Sequence, residues 1–243
     1  MGDRADRPAF YALDAGGWRD YWSLLHPPYT LWHLSYVVIG ACIAPAVDVG
    51  WLAETVLAFF LAMGLAAHAL DELNGRPLRT RIPDRVLWAI AVAGLAGAFA
   101  LGIHGAIVVS PWLWAFIAVG GFLVVAYNLE MFGGAFHSDL WFALGWGAFP
   151  ALTAYFAQTA TIRVDAILVA GGCAALSAAQ RVLSTPVRRL RRKVSTVTGE
   201  VVTIEGAREP IDAASLRAAP EGALRWLSVA VPLIAAALLA ARI

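Results

Sequence analysis

The chain has 243 residues, of which 60% are hydrophobic and 14% are charged, and its mean hydropathy is +0.69. A soluble domain is usually about half apolar and about a quarter charged, so this composition excludes an ordinary soluble protein. It predicts a polytopic membrane protein with the lipid bilayer as its partner. The net charge of +1 gives no indication of nucleic-acid binding. Cys42 and Cys173 both lie inside apolar runs, so no disulfide framework is predicted.

The N-terminal segment, residues 1–30, contains a short amphipathic stretch at 17–25. Its apolar side chains recur at the spacing of one helical face, which is typical of a helix lying on the membrane surface. These side chains are Trp18, Tyr21, Trp22 and Leu25. The sequence His26-Pro27-Pro28 is expected to end this helix before the first span.

A helix needs about 20 mostly apolar residues to cross the hydrocarbon core of a bilayer. Seven runs meet this requirement, at 31–49, 52–70, 86–104, 111–129, 139–159, 164–183 and 223–241. The predicted fold class is therefore all-α, a polytopic transmembrane helix bundle of about seven spans that forms a single domain over residues 1–243.

Basic residues predict the orientation of this bundle. Of the 18 Lys and Arg residues, only Arg163 and Arg242 fall on the side opposite the others. Because basic residues accumulate in cytoplasmic loops, the rich side is predicted to be cytoplasmic. The expected location is the cell membrane, with the N-terminus inside and, after seven spans, the C-terminus outside.

The link at 184–222 is the only sizeable polar segment and is predicted to be a cytoplasmic loop. It opens with the basic cluster VRRLRRK, residues 187–193, which suits phosphate or anionic lipid headgroups. An alternative is that this cluster is only a topological anchor. Residues around Thr198-Gly199 predict a short β-hairpin, and residues 212–218 predict a short helix capped by Asp212.

The end of the second predicted span gathers acids and bases in the stretch His68–Arg85. Asp71 follows His68 by about one helical turn, so both side chains are expected to point into the bundle. Carboxylates and amides are hard oxygen ligands that suit Mg²⁺, and arginines clamp phosphate oxygens. The candidate ligands and phosphate-binding residues are Asp71, Glu72, Asn74, Arg76, Arg79 and Arg81. An alternative is that the arginines are topological anchors neutralised by the acids.

Polar side chains also gather where the fourth and sixth predicted spans end on the same side. Tyr127 and Asn128 close the fourth span, and Gln180 and Arg181 lie near the end of the sixth. Polar groups at such positions are costly against lipid, so Gln180 and Arg181 are expected to face the bundle or the interface. Asp139 is either a helix N-cap or a functional carboxylate. No buried chain of acids crosses the predicted spans, which argues against a proton-coupled transporter.

In their order along the chain, these features resemble the UbiA superfamily of intramembrane prenyltransferases over roughly residues 18–185. HPPYTL at 26–31 is similar to the family's entry motif, with His for Arg. HALDELNGRPLRTRIP at 68–83 holds the place of the first Asp-rich motif. Tyr127 and the stretch Asp139…Gly145 are similar to the family's features at spans four and five.

The resemblance implies a UbiA-like enzyme that transfers an isoprenyl group from a diphosphate donor to a hydrophobic acceptor in the membrane. It implies Mg²⁺ as the cofactor, held by Asp71 and Glu72, with Asp71 and His68 as the catalytic residues. The chain departs from the family where QRVLSTPVRRLRRK, residues 180–193, replaces the second Asp-rich motif. We expect Arg181, Arg188 and Arg189 to bind the diphosphate directly there, as cations in place of metal charge.

The missing second motif supports a different interpretation, a non-catalytic protein that retains the fold. Such a protein would bind a prenyl lipid or act as a scaffold for a membrane-protein partner. The enzyme interpretation requires Asp71, Glu72 and the Arg181–Arg192 stretch to converge on one cavity.

Overall fold

The computed structural model describes residues 7–243, so residues 1–6 of the predicted N-terminal segment lie outside the described part of the chain. The fold is an all-α bundle with one small hairpin. The helices longer than four residues are α1 (Trp18–Leu24), α2 (Pro27–Ile43), α3 (Val49–Leu73), α4 (Asp84–Val108), α5 (Leu113–Asn128), α6 (Asp139–Thr159), α7 (Val164–Arg192) and α8 (Ala213–Ala240). The antiparallel strands are β1 (Gly199–Val202) and β2 (Arg208–Ile211).

Among residues 7–243, five helices are long and apolar enough to cross a membrane, namely α3, α4, α6, α7 and α8. The two other predicted spans are shorter helices, since α2 has 17 residues and α5 has 16. The first predicted span, 31–49, ends early because the chain reaches Pro45, whose ring cannot continue a helix. Asp48 then caps α3 by accepting a hydrogen bond from the Trp51 N–H at 2.9 Å.

Helix α1 has the predicted amphipathic character. Trp18, Tyr21 and Trp22 are exposed, whereas Leu24 and Asp20 are buried against the bundle. Leu25, predicted to lie on the apolar face, is half-buried. The helix therefore presents an aromatic face outward at the side of the bundle.

The centre of the bundle is α2, which packs between α6, α7 and α8. Trp32 and Tyr36 of this helix are fully buried in one cluster with residues of those three helices. Gly40 lies so close to the Ala151 carbonyl of α6 that no Cβ fits between them, and a Cβ on Gly147 of α6 would lie 2.6 Å from the Cys173 oxygen of α7. Small residues thus let these helices approach closely.

Replacing Gly40 with Ala should destabilise the protein by about 3 kcal/mol, because the added methyl group forces α2 and α6 apart in a packed core. Unfolding by SDS titration of the purified protein measures the change. Gly171→Ala on α7 is the matched control, since a Cβ there meets nothing within 4 Å. Equal stability of the two variants would contradict the close contact of α2 and α6.

Helices α3 and α6 each contain a π-helical segment, Phe60–Ala67 and Ala143–Ala148. Single widened turns of this kind occur often at functional sites, because they rotate the following side chains relative to a regular helix. Here one segment carries Met63 and the other Trp146, and both side chains line the same apolar cavity.

The polar link is shorter than predicted, because α7 continues through Pro186 to Arg192 and α8 begins at Ala213. Asp212 caps that helix, as predicted, by accepting a hydrogen bond from the Ser215 N–H at 2.7 Å. The helix does not stop at 218, however, but continues to Ala240. The hairpin also turns at 203–207, whereas the sequence placed its centre at Thr198-Gly199.

Candidate functional site

A polar cavity of about 870 Å³ lies at the end of the bundle where α3 and α5 finish and α2 and α6 begin. The structure brings seven of the predicted site residues to its wall. They are His68, Asp71, Tyr127, Asn128, Gln180, Arg181 and Arg188. Together with His33 and Phe142, these residues bring the ends of the first, second, fourth, fifth and sixth predicted spans to one cavity. The enzyme interpretation required Asp71, Glu72 and the arginines to converge, and of these Asp71 and the arginines do.

One face of α7 supplies most of the positive charge. Arg181, Arg188 and Arg192 all line the cavity, because separations of seven and four residues return to the same helical face. Arg189, which the sequence assigned to the diphosphate, points away and is exposed. Arg192 takes its place, so three guanidinium groups face one space.

Arg181 is held in position by α6. Its Nε donates to Asp139 Oδ1 at 2.8 Å, and its guanidinium group lies 5.3 Å from the ring centroid of Phe142. Asp139 is not the N-cap of this helix, because Ser138 takes that role by accepting from the Trp141 N–H. The carboxylate of Asp139 thus orients an arginine of the cavity.

Four histidines line the same cavity, His26, His33, His68 and His137. A carbonyl can only accept, so His68 Nδ1 donates to the Gly64 oxygen at 3.0 Å and leaves Nε2 as an acceptor. His33 Nε2 likewise donates to Gln180 Oε1 at 2.8 Å. His26 stacks on His68 at 4.2 Å, and burial lowers the pKa of His26 well below its ordinary value, so that it is neutral at pH 7.

The N-terminal residues Pro8–Tyr11 cover the cavity, which no motif in the sequence indicated. Arg192 Nε donates to the Pro8 oxygen at 3.2 Å. Phe10 packs edge-on against Tyr29 and lies beneath the guanidinium group of Arg225, 4.9 Å from its ring centroid. Burial also raises the pKa of Tyr11, which keeps its hydroxyl protonated. These contacts join residues far apart in sequence, so no local pattern reports them.

Glu72, which the sequence predicts to be a metal ligand, does not line the cavity. It is fully buried, and its two carboxylate oxygens accept from the Leu78 N–H at 2.9 Å and from the Thr80 N–H and hydroxyl at 2.9 and 2.8 Å. The carboxylate therefore organises the loop after α3. The predicted metal pair is reduced to Asp71.

The other predicted residues of this loop also lie outside the cavity wall. Asn74 donates to the Asn128 backbone oxygen at 3.2 Å, and Arg76 forms an ion pair with Asp84 and donates to the Ile82 oxygen. Arg79 and Arg81 are exposed. Arg76 therefore stabilises the loop, and Arg79 and Arg81 lie on the surface. The arginines that line the cavity belong to α7.

The donor set fits Mg²⁺ poorly. Among residues 7–243, no group of three or more His, Cys, Asp or Glu side chains is arranged to hold a metal ion. Asp71 is the one carboxylate among the cavity-lining residues of this range, and it shares the space with three arginines. The two predicted carboxylate ligands, Asp71 and Glu72, therefore do not meet at this cavity.

A second, apolar cavity of about 1010 Å³ lies between α3, α4, α5 and α6. Trp146 lines both cavities and separates them. Its ring lies 4.3 Å from that of Tyr127 and stacks on Phe142 at 5.7 Å. A charged compartment and an apolar one thus share an aromatic wall.

Comparisons of the chain with protein-family models, curated proteins and solved structures find no match. The resemblance to UbiA prenyltransferases therefore rests on the motifs and their order.

Proposed function

We propose that the protein binds an isoprenyl diphosphate and transfers its isoprenyl group to a hydrophobic acceptor in the membrane, in the manner of the UbiA prenyltransferases. The observation that carries this proposal is the shared wall of the two cavities. The diphosphate fits the compartment of Arg181, Arg188 and Arg192, and the chain fits the apolar compartment beyond Trp146.

Arginine suits this role because its planar group binds two phosphate oxygens at once and always carries its charge. Three such groups can balance the negative charge of a diphosphate, which a metal ion balances in other enzymes. In this proposal α2 and α5 also cross the bilayer. Seven spans then place the polar cavity on the cytoplasmic side, where soluble diphosphates are made available.

The reaction begins when the carbon–oxygen bond to the diphosphate breaks and its electron pair leaves with the diphosphate. The allylic cation that remains lies beside the rings of Tyr127, Phe142 and Trp146, whose π faces stabilise positive charge. The acceptor then supplies the electron pair for the new bond and loses a proton. The Asp71 carboxylate takes that proton, with the His68 Nε2 acceptor on the same cavity wall.

A second candidate is a protein that binds the prenyl lipid without reaction and serves a membrane-protein partner. One observation favours it: Glu72 is used by the loop, so Asp71 remains as the only acid of the predicted metal pair at the cavity. The two candidates make the same prediction for binding and opposite predictions for turnover.

The test measures binding of farnesyl diphosphate to purified protein in Mg²⁺ and in EDTA, and then transfer of its labelled chain into a lipid extract. We expect affinity to change by less than about threefold in EDTA, because arginines hold the diphosphate. Asp71→Asn should lower transfer by about 100-fold or more with little loss of binding. Asp165→Asn, at the opposite end of the bundle, is the control.

Binding without any transfer by the wild type would establish the second candidate in place of the first. Loss of binding in EDTA would contradict the role given to the arginines. Absence of binding under both conditions would overturn both candidates.

A further inference from the structure

Among residues 7–243, one polar side chain of the apolar cavity keeps a carboxylate oxygen without a hydrogen bond. Three of its lining residues have polar side chains other than indole, namely Glu54, Thr55 and Thr153. The two threonine hydroxyls donate to backbone oxygens of their own helices at 2.7 Å, to Trp51 and Phe149 respectively. Glu54 is therefore the group left to interact with a molecule in the cavity.

Glu54 is held in place from one side only. Its Oε1 accepts from His104 Nδ1 of α4 at 2.8 Å, and the Trp51 ring lies 5.4 Å from that imidazole. Among the described residues, no hydrogen bond reaches Oε2. The carboxylate is mostly buried, with 20% of its side chain exposed. A charged group is costly in such surroundings unless a partner or a ligand compensates it.

The position of Glu54 separates it from the diphosphate site. It lies near the start of α3, whereas His68 and Asp71 lie near its end, about 21 Å and about 25 Å away along the helix axis. Between them the wall is apolar and aromatic, with Phe59 and Met63 among its residues. A long apolar molecule with a polar group at the Glu54 end matches this distribution.

We propose that the Glu54–His104 pair is a recognition site for a hydroxyl group, and that the apolar cavity takes a long-chain isoprenoid or fatty alcohol. The hydroxyl donates to Glu54 Oε2, and the chain extends toward Trp146. His104 is a positioning residue that fixes the carboxylate. The alcohol would occupy the apolar cavity in which the proposed function places the isoprenyl chain, so the two ligands would compete for it, but recognition of the hydroxyl requires no diphosphate and no arginine of the polar cavity.

The test compares farnesol with farnesyl methyl ether, which has the same chain but no hydroxyl proton to donate. Binding to the purified full-length protein in lipid nanodiscs is measured by calorimetry. We expect farnesol to bind at least about tenfold more tightly, the value of one hydrogen bond to a charged acceptor. In Glu54→Leu this preference should disappear while the ether still binds.

Two outcomes would overturn the proposal. Equal affinities in the wild type would show that no hydroxyl is recognised. A preference for farnesol that survives in Glu54→Leu would place the hydroxyl elsewhere, as in the polar cavity among the arginines. Neither result depends on whether farnesyl diphosphate binds or reacts. The experiment therefore distinguishes failure of this proposal from failure of the proposed prenyl transfer.

A second pair of variants locates the chain independently of Glu54. Ala58→Phe fills the apolar cavity, because Ala58 lines it, and should abolish binding of both ligands. Ala53→Phe on the exposed face of the same helix is the matched control and should bind both as the wild type does. Farnesol binding that survives in Ala58→Phe would also overturn the proposal.

Discussion

Replacing Arg188 with Gln should lower the affinity for farnesyl diphosphate by about 100-fold, which corresponds to ~2.7 kcal/mol. Arg188 lies between Arg181 and Arg192 on the cavity face of α7, so its guanidinium group is expected to contact the diphosphate. Truncating one partner of a buried charge pair costs this much because the other charge remains desolvated and unpaired. Titration of the purified variant with the labelled ligand measures the loss.

Arg189→Gln is the matched control for this variant. It makes the same substitution one residue away on the same helix, but Arg189 is exposed and lies outside the cavity wall. We expect its affinity to stay within about twofold of the wild type, as is usual for an exposed charge. Equal losses in the two variants would show that only the general charge of this helix matters, and would contradict a defined arginine site.

Replacing Glu72 with Gln should destabilise the protein by about 3 kcal/mol or more. The buried carboxylate accepts three hydrogen bonds from Leu78 and Thr80, and an amide can place only one acceptor oxygen there. The NH₂ group of the glutamine side chain would face the Leu78 N–H with no acceptor between the two donors. A buried donor without a hydrogen bond is costly. SDS titration followed by loss of helical circular dichroism measures the free energy of unfolding.

Glu200→Gln provides the comparison for Glu72→Gln. Glu200 pairs with Arg208 at 2.9 Å on the exposed hairpin, where an ion pair contributes little to stability. We therefore expect a change below about 1 kcal/mol. If Glu72→Gln unfolded like the wild type but lost its response to Mg²⁺, Glu72 would be a metal ligand after all, and the structural role assigned to it would be wrong.

The arginines show how far sequence reasoning reaches at this site. The sequence predicts phosphate binding by the basic cluster at 187–193 and by Arg181, and Arg181 and Arg188 line the cavity. Arg192 lines the cavity and Arg189 does not because α7 continues through Pro186. Only a continuous helix places Arg192 on the same face as Arg181 and Arg188. A proline normally signals a helix end, so the helical periodicity was not extended past Pro186.

Glu72 shows a limit of a different kind. Its neighbour Asp71 lines the cavity, and the two carboxylates look equivalent in the sequence. They separate because adjacent residues on a helix point about 100° apart, and only one direction leads into the bundle. The other direction leads to the loop that contains Leu78 and Thr80. The backbone N–H groups of these two residues bind the Glu72 carboxylate in place of a metal ion.

By itself, the sequence determined that the chain forms apolar helices suited to a membrane, where most of them lie, and which end of the bundle carries the charge. Hydropathy and the positions of basic residues predict these properties. Each property depends on the free energy of transferring single residues between water and lipid, which the sequence lists directly. Only the tertiary structure decided which charged groups share a cavity, that Pro8–Tyr11 cover it, and that Glu54 faces the apolar compartment. Those facts depend on pairs of residues that are distant along the chain, and helix packing fixes them through contacts that no local pattern encodes.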